Sequence, residues 1–141
     1  MKYKEFKSGV TAGVFDLFHI GHFRMLKSAA AQCGYLTIGV EGDNTPRIKK
    51  EGVIQSQAER VAILEEVKFA AEIVVYLDVY DFITSREMDV LFVGGDQHRN
   101  AKVKRAIDYC RKKGIAVVQI PRTSGISTTE IKNRVRRTLE K

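Results

Sequence analysis

Short apolar runs alternate along the chain with longer segments of helical periodicity. Five runs rich in β-branched residues, at positions 10–14, 36–40, 73–77, 90–93 and 115–120, have the composition of buried strands. Strands that are apolar on both faces are typical of parallel sheets with both faces covered. The alternation therefore predicts the α/β class, as a Rossmann-like, doubly wound, parallel five-stranded sheet with helices on both faces.

Capping residues mark where the intervening helices begin and end. An apolar stripe with spacings of three and four runs from Phe23 to Cys33, and Gly34 after it predicts a left-handed helix end. Ser56 and Ser127 are each followed three positions later by glutamate, which fits a capping box and predicts helices that begin near 57 and 128. Two more helices are expected at 101–113 and, with a weaker pattern, at 81–87.

Four loops are candidates for carrying the chemistry of the protein. Sheets of the predicted class bind ligands beyond the carboxyl ends of their strands. The segments 15–20, 41–55, 94–100 and 121–126 leave those ends. Segment 41–55 has neither helical nor strand periodicity, and we interpret it as a binding loop or lid.

Length and composition limit the class of protein. The 141 residues have the length of one domain, and we assign residues 1–141 to a single domain with one core. The two cysteines lie far apart in the chain, and the first residues lack the apolar stretch of a secretory signal. No apolar run approaches the roughly 20 residues needed to span a bilayer. These features predict a cytoplasmic protein with no membrane partner.

The positive charge is concentrated in the last third of the chain. The formal net charge is +7, from 24 Lys and Arg against 17 Asp and Glu residues. Of these, 13 basic but 3 acidic residues follow position 98. One interpretation is a nucleic-acid-binding module that uses the basic C-terminal helix. That helix lacks the interleaved aromatic residues that stack on bases, which counts against nucleic acid as the partner.

The first candidate site follows the first strand, where Gly13-Val-Phe-Asp-Leu-Phe-His-Ile-Gly-His22 enters a helix. His19 and His22 project from one face of a first helical turn, and Gly21 removes a side chain that would block a ligand. Such a helix start offers amide donors and the positive end of the helix dipole to a phosphate. Zinc ligation by the two histidines and a purely structural role are the alternatives.

A second candidate phosphate site follows the last strand, in Pro121-Arg-Thr-Ser-Gly-Ile-Ser-Thr-Thr129. Arg122 can clamp an anion with two hydrogen bonds, Gly125 permits a tight loop, and Ser127 and Thr128 place hydroxyls at a positive helix end. Capping alone accounts for Ser127 equally well, but it does not account for Arg122 or Gly125. The glycine-rich motifs of dinucleotide-binding folds and P-loops are absent from the sequence.

The two motifs together resemble the cytidylyltransferases of the HxGH nucleotidylyltransferase superfamily, above all the bacterial glycerol-3-phosphate cytidylyltransferases. The likeness spans about residues 9–134. His-x-Gly-His is shared with adenylyltransferases, whereas Arg-Thr-x-Gly-Ile-Ser-Thr-Thr is typical of the cytidylyl branch. The resemblance implies an enzyme that transfers CMP from CTP to a phosphorylated alcohol such as glycerol 3-phosphate and releases pyrophosphate.

The resemblance also implies roles for individual residues. His19 and His22 would be catalytic, stabilising the α-phosphate as it becomes five-coordinate. Mg²⁺ would be the cofactor, held mainly by the nucleotide phosphates, so no protein ligand is assigned to it. The residues implied in nucleotide binding are Gly13, Val14, Phe15, Asp16, Gly21, Asp96, Arg122, Thr123, Gly125, Ile126, Ser127 and Thr128.

The acceptor side matches the family less closely. Lys49 corresponds to a family lysine that contacts the acceptor phosphate, and Arg60 to a further family arginine, although a surface charge fits both. Glu51 stands where the glycerol-3-phosphate enzymes have a second lysine, and segment 79–82 lacks another. His98 or Arg99 could supply the missing positive charge. These departures leave the acceptor open among phosphorylated alcohols and polyols.

Two alternatives to CMP transfer follow from these observations. An adenylyltransferase of the same fold would use ATP with a sugar phosphate or a flavin precursor, and phosphate-binding motifs do not distinguish the two bases. The basic module described above belongs to a different functional class. The resemblance also implies a homodimer, although the sequence does not identify its interface.

Overall fold

The computed structural model of the chain describes residues 4–95 and 97–141. Its strands are β1 (Phe6–Gly13), β2 (Cys33–Glu41), β3 (Glu72–Tyr76), β4 (Val90–Gly94) and β5 (Ala116–Ile120). Its α-helices are α1 (Ile20–Gln32), α2 (Pro46–Glu51), α3 (Gln57–Glu65), α4 (Val79–Thr84), α5 (Ala101–Lys112) and α6 (Thr128–Leu139). A 3-10 turn covers Gln97–Arg99.

The strands form one parallel sheet in the order β3-β2-β1-β4-β5. One buried apolar cluster includes side chains of α4 and α5, and the other includes side chains of α1 and α3. Strand β4 contributes Leu91 and Val93 to the first cluster and Val90 and Phe92 to the second. Alternate side chains of a strand point to opposite faces, so helices cover both faces of the sheet. The predicted fold class is confirmed.

Gly39 in the middle of β2 allows α4 to lie close to the sheet. A Cβ atom at this position would overlap the ring of Phe82, a residue of α4. Phe82 also stacks on Tyr76 at the end of β3, with ring centroids 5.3 Å apart. The ring of Phe82 thus occupies the space that a side chain at Gly39 would fill, and it also packs against the end of β3.

The predicted end of α1 at a left-handed glycine is wrong. Cys33 already has an extended backbone, with φ −136° and ψ 157°, and it begins β2. Gly34 therefore lies inside the strand, where a Cβ atom would approach the carbonyl oxygen of Lys7 to 3.1 Å. This glycine serves the close approach of β1 to β2 instead of ending the helix.

Segment 41–55 contains a helix that the periodicity does not predict. Helix α2 begins after Thr45, whose Oγ1 accepts a hydrogen bond from the Ile48 amide, with Pro46 at its first position. Gly52 ends it with a φ of 84°. A threonine just before a helix, a proline at its first position and a glycine after its end are ordinary capping signals. Six residues are too few to show an apolar stripe, so capping was the available signal.

The other predicted boundaries are close to the observed ones. The capping box of Ser56 and Glu59 is complete. At α6, Ser127 accepts a hydrogen bond from the Glu130 amide, but the Glu130 carboxylate binds Arg137 instead of closing the box. Helix α4 begins two residues earlier than predicted. Within the described part of the chain, the helices are too short or too polar to cross a bilayer.

Arg60 of α3 joins the carboxyl ends of two neighbouring strands. Its side chain has 0% exposure. Its Nη1 donates to the carbonyl oxygens of Val14, after β1, and of Glu41, at the end of β2, at 2.9 and 2.7 Å. Its Nε donates to the Gln55 carbonyl, and its Nη2 binds the Asp43 carboxylate at 2.6 Å. The interpretation of Arg60 as a surface charge is wrong, because the guanidinium is a buried tie between loops.

We expect Arg60→Ala to destabilise the fold strongly. The substitution leaves buried carbonyl oxygens without a donor, so the free energy of unfolding should fall on the order of 3 kcal/mol or more. Arg137→Ala is a control, because its ion pair with Glu130 is exposed and contributes about 1 kcal/mol or less. Urea denaturation of the two variants measures the difference. Equal losses in both variants would contradict this account of Arg60.

Candidate active site

A cavity of about 550 Å³ lies at the carboxyl ends of the strands. It is lined by residues at or just after the ends of all five strands, including Gly13, Glu41, Tyr76, Gly94 and Ile120. The strand order reverses where β1 lies between β2 and β4. Ligands of open parallel sheets bind at such a reversal point. The cavity is therefore where the sequence analysis places the site.

The loop after β1 is held in a strained conformation. Phe15 and Leu17 have φ angles of 57° and 50°, which non-glycine residues rarely adopt. The Asp16 carboxylate between them accepts hydrogen bonds from the amides of Ile54 and Gln55, both at 2.9 Å. Gln55 in turn accepts a hydrogen bond from the Leu17 amide. These contacts offset the backbone strain and hold Phe15 and Asp16 in the lining of the cavity.

The same loop is tied to α6. The Thr128 hydroxyl donates to the Asp16 carbonyl oxygen at 2.9 Å. The Asp16 carboxylate binds backbone amides, and the Thr128 hydroxyl binds the Asp16 backbone. Both residues line the cavity, and their polar groups hold the loop in position. The two motifs that are far apart in the sequence thus meet through a direct hydrogen bond.

His19 and His22 form a stacked pair at the start of α1. Their ring centroids lie 3.8 Å apart, and both rings line the cavity. His19 Nδ1 accepts from the amides of Gly21 and His22, and His22 Nδ1 accepts from the His19 amide at 3.2 Å. A neutral imidazole that accepts at Nδ1 carries its proton on Nε2. Each ring therefore has an Nε2–H donor available to an anion in the cavity.

Both histidines are held in the neutral form. Burial lowers the pKa of His22 to about 4, with His19 adding to the shift and Asp16 opposing it. Phe15 and Phe18 pack against the His22 ring, at centroid distances of 5.4 and 5.5 Å. Burial and the charge of Arg122 lower the pKa of His19. Near neutral pH the pair therefore acts through hydrogen bonds.

Two details of the first motif differ from the sequence analysis. The amides of Gly21 and His22 are occupied by the His19 ring, so these helix-start donors are not offered to a ligand. A Cβ atom at Gly21 would lie 2.8 Å from His19 Cε1 and 3.4 Å from Ile126 Cγ2. The glycine thus makes room for the His19 ring and for the second motif.

The second motif lies next to the first and lines the same cavity. Gly95, with a φ of 49°, makes room for Arg122, because a Cβ atom there would lie 2.8 Å from Arg122 Cγ. Arg122, Thr123, Ile126, Ser127 and Thr128 all line the cavity. Ser127 Oγ caps α6, as the capping alternative states. Gly125 has a φ of 78° and shapes the turn outside the cavity lining.

Lys132 is a cavity residue that the motif does not identify. Sequence reasoning assigns it to the basic surface of α6, yet it lines the cavity, with its Nζ 3.9 Å from Asp16 Oδ2. Lys132 lies four residues after Thr128, so the two share a face of α6. This spacing is the signal that could have placed Lys132 in the site.

The structure places the predicted site residues in two groups. Those that line the cavity are Gly13, Val14, Phe15, Asp16, His19, Gly21, His22, Arg122, Thr123, Ile126, Ser127 and Thr128. Those that lie outside its lining are Lys49, Arg60, His98, Arg99 and Gly125. Asp96 lies outside the described residues. Every predicted site residue that lines the cavity comes from the two motifs.

The acceptor-side residues are differently arranged from the family pattern. Lys49 is exposed on α2, whereas Arg47 and Glu51 of the same helix line the cavity. His98 and Arg99 are exposed on the 3-10 turn, where His98 lies 3.2 Å from the Gln119 amide nitrogen. The family role of Lys49 remains a prediction. Arg47 is the cation that α2 contributes to the cavity.

The side chains of the cavity fit a Mg²⁺ ion carried by phosphates. Within residues 4–95 and 97–141, no three His, Cys, Asp or Glu side chains come together in a cluster suited to a metal. The Asp16 carboxylate is occupied by two backbone amides. Mg²⁺ commonly binds through substrate phosphates with few protein ligands. The described residues are compatible with that arrangement.

Comparison with known proteins points to the family that the two sequence motifs resemble. The family model described as cytidylyltransferase-like matches residues 10–134. Glycerol-3-phosphate cytidylyltransferase of Bacillus spizizenii is 32% identical over 129 residues, which cover 89% of this chain and 95% of that protein. The bifunctional protein HldE of Hyphomonas neptunium is 33% identical over 130 residues, and the chain spans 26% of its length.

A solved structure shows the same fold. The lipopolysaccharide core biosynthesis protein of Thermoplasma volcanium aligns with a TM-score of 0.67 at 23% identity, covering 84% of this chain and 97% of that one. The fold, the motifs and the family match agree, and the prediction of a nucleotidyltransferase is confirmed. The chain therefore belongs to the cytidylyltransferase-like family.

Proposed function

We propose that the protein transfers CMP from CTP to a phosphorylated alcohol, such as glycerol 3-phosphate, and releases pyrophosphate. The observation that carries the proposal is the stacked pair of His19 and His22, whose Nε2–H donors line a cavity that also contains Arg122 and Lys132. This set of donors and cations matches the charge that develops when a triphosphate is cleaved. The similarity to glycerol-3-phosphate cytidylyltransferases supports the choice of CTP and acceptor.

In the proposed reaction, an oxygen of the acceptor phosphate attacks the α-phosphorus of the nucleotide. The new P–O bond forms as the bond to the β-phosphate oxygen breaks, and the electron pair leaves with pyrophosphate. The Nε2–H groups of His19 and His22 donate to the α-phosphate oxygens as the phosphorus becomes five-coordinate. Arg122 and Lys132 neutralise the departing phosphates. Positioning and charge stabilisation supply the catalysis, without a covalent enzyme intermediate.

Mg²⁺ is part of the proposal, as the ion that neutralises charge on the triphosphate. The residues of the chain would hold the nucleotide through its phosphates, and Mg²⁺ bound with the nucleotide would supply neutralising charge. The homodimer and the cytoplasmic location remain predictions. The position of Lys132 in the cavity removes one cation from the surface that the nucleic-acid hypothesis requires.

We expect His22→Asn to lower turnover by roughly 100-fold or more, because it removes an Nε2–H donor that stabilises the transition state. The Asn Oδ1 atom can replace His22 Nδ1 as acceptor of the His19 amide, so the start of α1 is retained. His22→Ala removes both functions and should also cost about 1 kcal/mol of stability. Steady-state kinetics at saturating substrates, with thermal unfolding as the folding control, measure both. Near-normal turnover of His22→Asn would remove His22 from the mechanism.

The low pKa of His22 predicts how stability depends on pH. Its pKa of about 4 in the folded chain lies below the ordinary value of 6.5, so unfolding takes up a proton between these values. The free energy of unfolding should therefore fall as the pH drops from 6.5 to 4. Urea denaturation at pH 7, 5.5 and 4.5 measures this dependence. The decrease in the free energy of unfolding between pH 7 and pH 4.5 should be smaller in His22→Asn than in the parent protein. An equal decrease in both proteins would contradict a pKa of about 4 for His22.

Pyrophosphate release tests the reaction directly. CTP, ATP, GTP and UTP are each combined with glycerol 3-phosphate, phosphocholine, phosphoethanolamine and several sugar phosphates, with Mg²⁺ or with a chelator. We expect release with CTP and a phosphorylated alcohol, and its loss with the chelator. Release with ATP alone identifies the adenylyltransferase alternative. Absence of release with every pair contradicts the proposal, and salt-dependent binding of nucleic acid in that case favours the basic module.

A further inference from the structure

A second polar cluster lies in the cavity at the end of β2 and is not used by the reaction as described. The Glu41 carboxylate has a side-chain exposure of 8% and lines the cavity. Its Oε1 accepts from Arg47 Nη2 at 2.8 Å, and its Oε2 accepts from Arg47 Nε at 3.3 Å. Oε2 also accepts from the Thr45 hydroxyl at 2.8 Å. The buried carboxylate is thus held by a two-pronged arginine.

Tyr76 completes the cluster from the neighbouring strand. Its hydroxyl lies 3.5 Å from Glu41 Oε1, and it lines the cavity beside Glu41 and Arg47. Burial, with the charge of Glu41, raises the pKa of Tyr76. The phenol therefore remains neutral and able to donate. Because 3.5 Å is long for such a hydrogen bond, Oε1 retains capacity to accept from a bound molecule.

A carboxylate is an unexpected group in a cavity that admits phosphates. It repels phosphate, and a buried charge is costly unless a partner compensates it. Arg47 supplies that compensation, so the Glu41–Arg47 pair has no net charge. Arg47 also retains a donor, since its Nη1 has no hydrogen-bond partner among the described residues. The pair at the cavity therefore has an acceptor, Glu41 Oε1, and a separate donor, Arg47 Nη1, on the side of the guanidinium away from the carboxylate.

Separate donor and acceptor groups of a pair with no net charge suit neighbouring hydroxyls. Hydroxyls both donate and accept, so one hydroxyl of a polyol can donate to Glu41 while the next accepts from Arg47. A phosphate only accepts and would face the carboxylate, whereas an ammonium or trimethylammonium group would be placed beside the guanidinium. The pair therefore discriminates by hydrogen-bonding pattern as well as by charge.

We propose that Glu41 and Arg47 bind neighbouring hydroxyls of the acceptor, which makes a polyhydroxylated phosphorylated alcohol, a polyol phosphate or sugar phosphate, the acceptor class. The proposal rests on the nucleotidyl transfer proposed above. It assigns to Glu41 the selection of the acceptor and excludes phosphorylated amino alcohols as good substrates. Arg47 both compensates Glu41 and donates to a neighbouring hydroxyl.

The chain offers a matched control for this cluster. Glu72 at the start of β3 accepts from the Thr37 hydroxyl at 3.1 Å and forms an ion pair with Arg86. This carboxylate has the same types of partner as Glu41 but lies outside the cavity lining. A purely structural carboxylate should behave as Glu72 does.

The experiment compares Glu41→Gln and Glu72→Gln with the parent protein. Each is assayed with the best polyol phosphate acceptor and with its analogues that lack one hydroxyl. For one analogue, kcat/KM should be roughly tenfold or more below the value for the complete acceptor, both in the parent and in Glu72→Gln. This factor corresponds to the loss of a hydrogen bond to a charged group. In Glu41→Gln the fall should be less than about threefold. The KM for the nucleotide should stay within about twofold in all three.

Other outcomes separate the two proposals. Equal sensitivity of all three proteins to every missing hydroxyl overturns the role of Glu41, and so does a preference of the parent for phosphocholine or phosphoethanolamine. Absence of pyrophosphate release by the parent with any acceptor instead defeats the proposed function. If Glu41→Gln does not fold in circular dichroism, Arg47→Lys serves in its place, because it retains the charge and removes the Nη1 donor. It should show the same loss of hydroxyl discrimination.

Discussion

The buried guanidinium of Arg60 lies where three backbone segments meet at the edge of the cavity. It donates to the carbonyl oxygens of Val14, Glu41 and Gln55 and binds the Asp43 carboxylate. The Gln57 amide and Arg60 together lower the pKa of Asp43, which keeps the partner charged. Without this donor, the buried carbonyl groups at the converging strand ends would lack partners. The strained loop after β1 and the polar cluster after β2 both depend on that convergence.

The electrostatics of the cavity follow from burial. Neutral imidazoles face one side because desolvation and neighbouring groups lower the pKa values of His19 and His22. Arg122 and Lys132 supply positive charge from the second motif and α6. Near β2, Arg47 compensates the charge of Glu41, and the exposed Glu51 also lines the cavity. In the function proposed above, the first region holds the triphosphate and the second holds the hydroxyls of the acceptor, and donors held in place cost little reorganisation during the reaction.

Prediction from the sequence worked where the signal was local. Strand composition identified the sheet, and the two motifs identified twelve residues that line the cavity. It worked less well where a contact joined distant segments. Arg60 resembles a surface residue in its helix, because the carbonyl groups that bury it come from other segments. Arg47 lies in a helix too short to show periodicity, and Lys132 lies in a helix whose basic composition concealed which face meets the cavity.

The sequence by itself determined the order of the strands and of the helices other than α2, the N-caps of α3 and α6, and the two motifs that line the cavity. Each of these depends on residues within about one helical turn or one strand of each other. The tertiary structure decided that Arg60 is buried, that the Nδ1 atoms of His19 and His22 accept from backbone amides, and that Glu41 lines the cavity. Those properties depend on desolvation and on partners from distant segments, and both arise when the strand ends converge around Arg60.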